Sequence, residues 1–159
     1  MANIFQPDWD TEQERPPFTW RRARLGRQVG SERLGASLFE LPPGASSFPL
    51  HIHHANEELI VVLAGRPTLR TLDSQRRLEP GELVPCPTGR AGAHRLDNRQ
   101  EEPARVLVIS TMLAPELIEY PDSGKLLVRS YPPGGEGSAD AVEVIARPEA
   151  AVDYFEGES

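Results

Sequence analysis

Short stretches that mix apolar and polar residues recur along the chain and are separated by turn residues. Examples are Phe18–Leu25, Leu34–Leu41 and the alternating Thr68–Leu72, after which residues 76–79 are expected to return as an antiparallel partner. The 16 prolines and 13 glycines make a long uninterrupted helix improbable. The pattern therefore predicts an all-β fold of about eight or nine strands, with the spacing of a sandwich or barrel.

Two predicted strands do not alternate. Leu59–Leu63 and Val106–Ile109 are apolar at every position. A strand that is buried on one face only would carry polar residues at every second position. Something is therefore expected to cover the outer face of the barrel, either the terminal segments or a second subunit. A homodimer is the prediction.

After Thr111 the pattern becomes irregular. Ala114–Glu119 is expected to form one helical turn that starts at Pro115, and a turn-rich loop follows. This loop, Tyr120–Lys125, is interpreted as a solvated turn, with a position over the barrel mouth as the alternative.

Residues 1–17 are predicted to be an N-terminal arm and residues 18–130 the barrel. Residues 131–159 are predicted to be a linker and a C-terminal segment that packs on the barrel or on a partner.

The charge of the chain limits its partners. The formal net charge is −7 and the sequence pI is near 5.1, which argues against nucleic-acid and anionic membrane surfaces. The cluster Trp20–Arg24 contains three arginines and is interpreted as a solvated strand face, with a functional anion patch as the alternative.

One cysteine cannot form an internal disulfide, and no secretory signal or membrane-spanning stretch is apparent, so a cytoplasmic location is expected.

Candidate metal ligands lie between Gly44 and Gly65. His51 and His53 are two residues apart, so in an extended strand they point to the same face, about 7 Å from each other. A short turn at Ala55–Asn56 would bring the carboxylate of Glu58 from the next strand to the same point. Two imidazoles and one carboxylate then converge.

A second stretch, Gly81-ELVPC-Pro87-Thr-Gly89-RAGA-His94-RLD-Asn98, follows. Together the two stretches resemble the motifs of the cupin superfamily, G-x(5)-H-x-H-x(3,4)-E-x(6)-G and G-x(5)-P-x-G-x(2)-H-x(3)-N. Gly44 lies one residue further from His51 than the pattern asks, and four residues separate Gly89 from His94 instead of two. Such spacers fall in turns, where insertions cost little.

The resemblance implies a double-stranded β-helix, a barrel of the jelly-roll type, with the cupin metal ligands at His51, His53, Glu58 and His94. The whole chain looks most like small single-domain bacterial cupins, some of which are labelled sugar-phosphate isomerases. Three of the chain's four histidines fall at motif positions. The alternative is that these histidines are structural, or that the barrel binds a ligand without metal.

Other polar residues near the motifs have different expected roles. His54 is expected on the opposite strand face, and Glu57 competes with Glu58 for the ligand role, but the spacing to Gly65 and strand parity favour Glu58. Cys86 is expected to be a small buried hydrophobe, with a pocket-lining thiol as the alternative. Arg95 is expected to point outward, away from any substrate.

Three imidazoles and one carboxylate suit one divalent transition metal, namely manganese, iron, nickel or zinc. Four protein ligands leave coordination positions open for substrate or water. The expected function is a metal-dependent enzyme, an isomerase, dioxygenase or decarboxylase, that acts on a small sugar phosphate, hydroxy acid or keto acid. The alternative is a cupin that binds or senses a small molecule without turnover. No catalytic acid or base can be assigned from the motifs.

Overall fold

The computed structural model describes residues 2–135 and 137–158, and these residues form thirteen strands. One short α-helix, α1 (Leu25–Gln28), and two 3-10 turns, Arg90–Gly92 and Pro148–Ala150, interrupt them. The strands are β1 (Thr11–Arg15), β2 (Phe18–Ala23), β3 (Leu34–Leu41), β4 (Ile52–His53), β5 (Glu58–Ala64), β6 (Thr68–Arg70), β7 (Gln75–Arg77), β8 (Leu83–Cys86), β9 (Arg95–Asp97), β10 (Ala104–Thr111), β11 (Glu116–Tyr120), β12 (Lys125–Arg129) and β13 (Glu143–Ala146).

The strands form three antiparallel sheets. A six-stranded sheet has the order β1-β2-β3-β10-β5-β8, a four-stranded sheet β13-β12-β11-β4, and a three-stranded sheet β7-β6-β9. A bridge between His51 and His94 links the edges of the two smaller sheets, because these residues directly precede β4 and β9. The result is the double-stranded β-helix that the motifs predicted.

The core lies between the faces of this barrel. In β5 the side chains of Glu58, Ile60 and Val62 are buried and the alternate positions are only partly buried, so the predicted inward face of β5 is confirmed. The aromatic rings of Trp20, Phe39 and Phe48 pack against one another at centroid distances of 5.3–5.5 Å. Apolar side chains of the six-stranded and the three-stranded sheet together form this main core cluster.

The chain's own N-terminal segment covers part of the outer apolar face. Leu63 of β5 and Leu107 of β10 belong to a small apolar cluster around Leu38, to which Ile4 and Trp9 also contribute. This cluster explains part of the uninterrupted apolar pattern in β5 and β10 without a second subunit. Oligomeric state and domain boundaries stay predictions.

The prediction of a helical turn over Ala114–Glu119 is wrong. β11 occupies Glu116–Tyr120 and pairs with β4 on one side and β12 on the other. Glu116 and Ile118 are buried and the residue between them is less so, which is a period of two. Pairing on both sides satisfies the backbone groups of this segment, which a single helical turn would leave largely unpaired.

Two smaller expectations also change. The strand expected over Phe18–Leu25 ends at Ala23, because Leu25 begins α1. The described residues form more strands than the eight or nine expected, since very short strands such as β4 and the C-terminal β13 carry no clear alternation. Among the described residues, no helix has the length and apolar character that crossing a membrane requires.

Candidate metal centre

Four residues of the two motifs meet at one end of the barrel interior, and all four are buried. His51 and His53 flank Ile52 at β4, and Glu58 is the first residue of β5, after a turn. His94 directly precedes β9 of the three-stranded sheet. Its backbone exchanges two hydrogen bonds with that of His51, at 3.1 and 3.3 Å. The sequence-predicted ligand residues are thus brought together.

The ligand atoms cluster around the Glu58 carboxylate. One ligand atom each from His51, His53 and Glu58 lie within 4.8 Å of one another. The Glu58 Oε2 atom lies 3.1 Å from His94 Nε2 and 3.7 Å from His53 Nε2. His94 therefore contacts the carboxylate of the three-residue cluster, and its ring centroid lies 4.3 Å from that of His51.

Backbone carbonyl groups fix the tautomer of two of these histidines. His51 Nδ1 lies 2.9 Å from the carbonyl oxygen of Pro49, and His94 Nδ1 lies 2.8 Å from that of Gly92. A carbonyl oxygen can only accept, so each Nδ1 must carry a proton. In the neutral ring the Nε2 lone pair is then free to face the cluster, which is the arrangement a metal ligand requires.

The loop before His94 contains the two extra residues of the second motif. They fall in the 3-10 turn Arg90–Gly92, which confirms that the insertion lies in a turn. Gly92 packs directly against the backbone of Pro87, where a Cβ atom would clash with the carbonyl group. Only glycine fits there, and its carbonyl oxygen is the acceptor for His94.

A buried carboxylate from β11 supports His53. Glu116 Oε2 lies 3.6 Å from His53 Nδ1, and the Glu116 side chain accepts hydrogen bonds from the Asn56 amide and from the Ala55 backbone. Burial alone would raise the pKa of Glu116, but His53 and these hydrogen bonds lower it. At 3.6 Å this contact is longer than a hydrogen bond, and His53 Nδ1 is buried without a hydrogen-bond partner among the described residues. The negative charge of Glu116 therefore acts on the His53 ring through space.

The protonation states of the cluster are set by burial and by mutual charge. Burial, with the neighbouring His94 and His53, lowers the pKa of His51 to about 3. Burial alone would lower the pKa of His94, but its contacts with Cys86 and Glu58 raise it. The same His94 contact lowers the pKa of Glu58 against the effect of burial. Without metal, His94 and Glu58 therefore form an ion pair beside a neutral His51, and a cation would compete with the His94 proton.

Residues 37–110 match the family model described as "Cupin domain". Over this stretch, a little under half of its length, the chain is similar to cupin domains. The match spans β3 to β10 and includes all four candidate ligand residues.

Solved structures agree with this assignment. One from Acidithiobacillus ferrooxidans, provisionally described as a sugar phosphate isomerase, is 28% identical with a TM-score of 0.76, over 91% of this chain and 86% of that one. A sugar phosphate isomerase of the cupin superfamily from Silicibacter pomeroyi has a TM-score of 0.78 over 95% and 94%, and at 22% identity it shows the fold alone. The polyketide cyclase RemF from Streptomyces resistomycificus is 28% identical, with a TM-score of 0.55 over 65% and 74%. No curated protein matches the chain.

Other residues near the two motifs lie where the sequence placed them. His54 is exposed and lies 3.4 Å from Glu119 on the outer face, and Glu57 is exposed as well. Cys86 is buried in the main core cluster, as expected, although it also contacts His94. Arg95 pairs with Asp97 at 2.6 Å instead of facing the cluster. None of these four is a candidate for contact with a ligand in the cavity.

A cavity of about 230 Å³ opens beside the candidate metal ligands. Its walls are largely apolar, and its polar groups come from distant strands. Tyr120, the last residue of β11, lines it with its ring centroid 6.4 Å from that of His51. Arg22 of β2 and Arg129 of β12 line it as well.

Sequence reasoning missed three functional candidates: Glu116, Tyr120 and Arg129. It considered Arg22 only as part of the Trp20–Arg24 cluster, for which an anion patch was the alternative. Glu116 and Tyr120 belong to the segment that was assigned to a helical turn and a loop. The loop Tyr120–Lys125 was interpreted as a solvated turn, with a position over the barrel mouth as the alternative. Its first residue, Tyr120, lines the cavity. Asp122 instead forms an ion pair with Arg70, with 2.6 Å between the charged atoms. The alternation in residues 116–120 is the signal that would have placed both side chains on one strand.

Proposed function

We propose that this cupin binds one divalent transition metal through His51, His53, Glu58 and His94 and is a metal-dependent enzyme for a small oxygenated metabolite. The substrate class would be a sugar phosphate, a hydroxy acid or a keto acid. The observation that supports this most directly is the convergence of the Glu58 carboxylate with three buried imidazoles beside an enclosed cavity. The similarity to the Acidithiobacillus ferrooxidans protein over most of both chains points in the same direction.

The donor set fits the proposed metal. Imidazole nitrogen and carboxylate oxygen are ligands that manganese, iron, nickel and zinc accept, and the carbonyl contacts of His51 and His94 leave the Nε2 atoms for coordination. When bound, such an ion supplies Lewis acidity toward a carbonyl, carboxylate or hydroxyl oxygen.

The cavity provides the other requirements for chemistry. Its apolar walls, which include Ile60, Val106 and Ile118, exclude water from the space beside the histidines. Burial raises the pKa of Tyr120, so its phenol stays protonated at neutral pH. The Tyr120 hydroxyl can therefore donate a hydrogen bond to a substrate oxygen.

Metal analysis of purified protein tests the first part of this proposal. The wild-type chain is expected to hold about one transition-metal ion, and His51→Ala with His53→Ala should abolish it. His54→Ala is the matched control, because His54 is adjacent in sequence but faces outward. Unchanged metal content in the double variant, with folding confirmed by circular dichroism, would show that the ligand assignment is wrong.

A binding or sensing module without turnover is the second candidate. Among the described residues that line the cavity, Tyr120 is the one acid or base group outside the proposed ligands and the two arginines. Incubation of metal-loaded protein with sugar phosphates, hydroxy acids and keto acids, with and without oxygen, separates the candidates by mass spectrometry. Conversion of a bound compound supports an enzyme, and a tightly bound compound that never changes supports a binder.

A further inference from the structure

Two arginines enter the cavity from different sheets. Arg22 lies on β2 of the six-stranded sheet, two residues after the buried Trp20 and opposite Phe39 of β3. Its guanidinium carbon lies 5.6 Å from the Trp20 ring centroid and 5.9 Å from that of Phe39. Residues two apart in a strand share a face, so Arg22 points inward with Trp20.

Arg129 enters from the four-stranded sheet. It ends β12 directly opposite Glu116 of β11, the carboxylate that contacts His53. Leu127, two residues earlier, is buried on the same inward face. Arg129 therefore lines the cavity beside residues that support the candidate metal ligands.

These two guanidinium groups differ from the neighbouring arginines in having no anionic partner. Arg21 and Arg105 both contact the Glu40 carboxylate at 2.6 Å. In contrast, within residues 2–135 and 137–158 neither Arg22 nor Arg129 has a carboxylate within 4.0 Å, and the Nε atom of each is buried without a hydrogen-bond partner.

The carboxylates near these arginines already accept hydrogen bonds from other groups. Glu116 faces Arg129 across the β11–β12 pair, but it accepts hydrogen bonds from the Asn56 amide and the Ala55 backbone. Glu143 faces Arg129 across the β12–β13 pair, but its carboxylate accepts the Tyr131 hydroxyl. Asp10 lies near Arg22, but it accepts hydrogen bonds from the backbone and side chain of Arg24. Burial lowers the pKa of Arg22 and the positive charge of Arg24 lowers it further, whereas the charge of Asp10 raises it.

An unsatisfied buried N–H group of a charged side chain is costly, and a ligand anion would satisfy it. Guanidinium groups are suited to this role, because their planar N–H groups match the oxygen atoms of carboxylate and phosphate. With Arg22, Arg129 and one carboxylate, the cavity wall is net positive even before a metal is added. An overall acidic chain thus encloses a cationic cavity.

We propose that Arg22 and Arg129 form an anion-binding subsite, and that the ligand of this cupin is a small organic anion whose carboxylate or phosphate group contacts these guanidinium groups. Its remaining oxygen atoms would face the cluster around Glu58. The inference rests on the proposed function, because it assumes that the cavity receives a small metabolite. Sugar phosphates, hydroxy acids and keto acids all carry such an anionic group, and the inference names the residues that bind it. Pockets that bind drug-sized molecules have volumes of about 300–1,000 Å³. The cavity here has about 230 Å³ and therefore suits a smaller ligand.

Isothermal titration calorimetry on the full chain tests the subsite. The probes are glycerol 3-phosphate, lactate and uncharged glycerol, each titrated at low ionic strength into metal-loaded and metal-free protein. At least one anion is expected to bind and glycerol is not. The relative affinity of the phosphate and carboxylate probes then identifies which group the arginines hold.

Variants of neighbouring arginines locate the binding. Arg22→Met and Arg129→Met should each weaken anion binding by about tenfold or more, the loss typical of a hydrogen bond to a charged group. Arg21→Met is the matched control, because it removes the same charge from the same strand. Arg21 pairs with Glu40 and does not line the cavity, so we expect anion affinity to change by less than about twofold. Should Arg22→Met fail to fold, Arg22→Lys keeps the charge but loses the planar fork, and it should still weaken binding.

Three outcomes would overturn the inference: no anion binds the wild-type protein, glycerol binds as tightly as the anions, or the Arg22 and Arg129 variants keep wild-type affinity. Metal content measured on the same samples separates this result from the proposed function. Anion binding by a protein that takes up no transition metal when metal is supplied would contradict the metal centre alone. A metal-loaded protein that binds no anion would contradict the subsite alone.

Discussion

The two-residue spacing of His51 and His53 predicted their shared face, because a strand fixes the direction of i and i+2 side chains without any knowledge of the rest of the fold. Arg22 shows the limit of that argument. It was assigned with Arg21 and Arg24 to a solvated face, with an anion patch as the alternative. In the structure Arg21 is only partly exposed, because it pairs with Glu40 and lies over the Trp9 ring. The inward position of Arg22 depends on the register between β2 and β3, which no local pattern sets.

Glu116 is expected to matter for metal binding although it is not a proposed ligand. Glu116→Gln keeps the shape of the side chain and an oxygen that can accept the hydrogen bond of Asn56, but it removes the negative charge beside His53. Metal affinity should therefore fall by about 10–100-fold. Glu119→Gln is the matched control on the same strand, since Glu119 faces outward to His54. Competition with a chromogenic chelator measures both variants, and equal affinities for Glu116→Gln and wild type would contradict this role.

Metal binding should release protons at neutral pH. The pKa of His94 is raised by Cys86 and Glu58, so His94 is protonated in the metal-free chain, whereas the pKa of His51 is lowered to about 3 and His51 is already neutral. Binding therefore displaces about one proton, and apparent affinity should fall as pH falls. Calorimetry in two buffers of different ionisation enthalpy at pH 7 counts this proton. A value of zero would show that His94 is not a ligand.

At the level of elements, β11 carries more of the site than any other segment that the sequence misassigned. It contributes Glu116 behind His53, Ile118 opposite His53 in the β4 pairing, and Tyr120 in the cavity wall. Pro115 and the following acidic residue resemble the start of a helix, which is why the local pattern favoured one. The strand wins because β4 and β12 lie on both sides and are distant in sequence.

Removing the inward side chain of β11 should destabilise the barrel. Ile118→Ala deletes a side chain that is 5% exposed, and the expected loss in unfolding free energy is about 2–5 kcal/mol. Leu117→Ala is the matched control, because Leu117 lies on the other strand face and is only partly buried. Urea unfolding followed by circular dichroism measures both. Equal losses would mean that β11 is not buried on the face that the structure shows.

At the scale of the whole molecule, the described N-terminal residues and the C-terminal strand cover the barrel unequally. Ile4 and Trp9 cover apolar side chains of β5 and β10, as one of the sequence alternatives required. At the other end, β13 is the edge strand of its sheet and its own side chains stay exposed. Val128 and its register partner Val144 are 45% and 51% exposed on one face.

We expect a homodimer in which the β12–β13 face or the free edge of β13 contacts a second copy. Exposed edge strands with apolar side chains are prone to pair, and closed two-fold contacts are the commonest solution. The Val144→Lys protein should be more monomeric than the wild-type protein, because the new charge would lie in the centre of the proposed contact. Val152→Lys is the matched control, since Val152 is 69% exposed outside the sheets. Sedimentation velocity across a range of concentrations measures all three proteins. A wild-type monomer throughout would show that the apolar face of β13 is not a contact between copies of this chain.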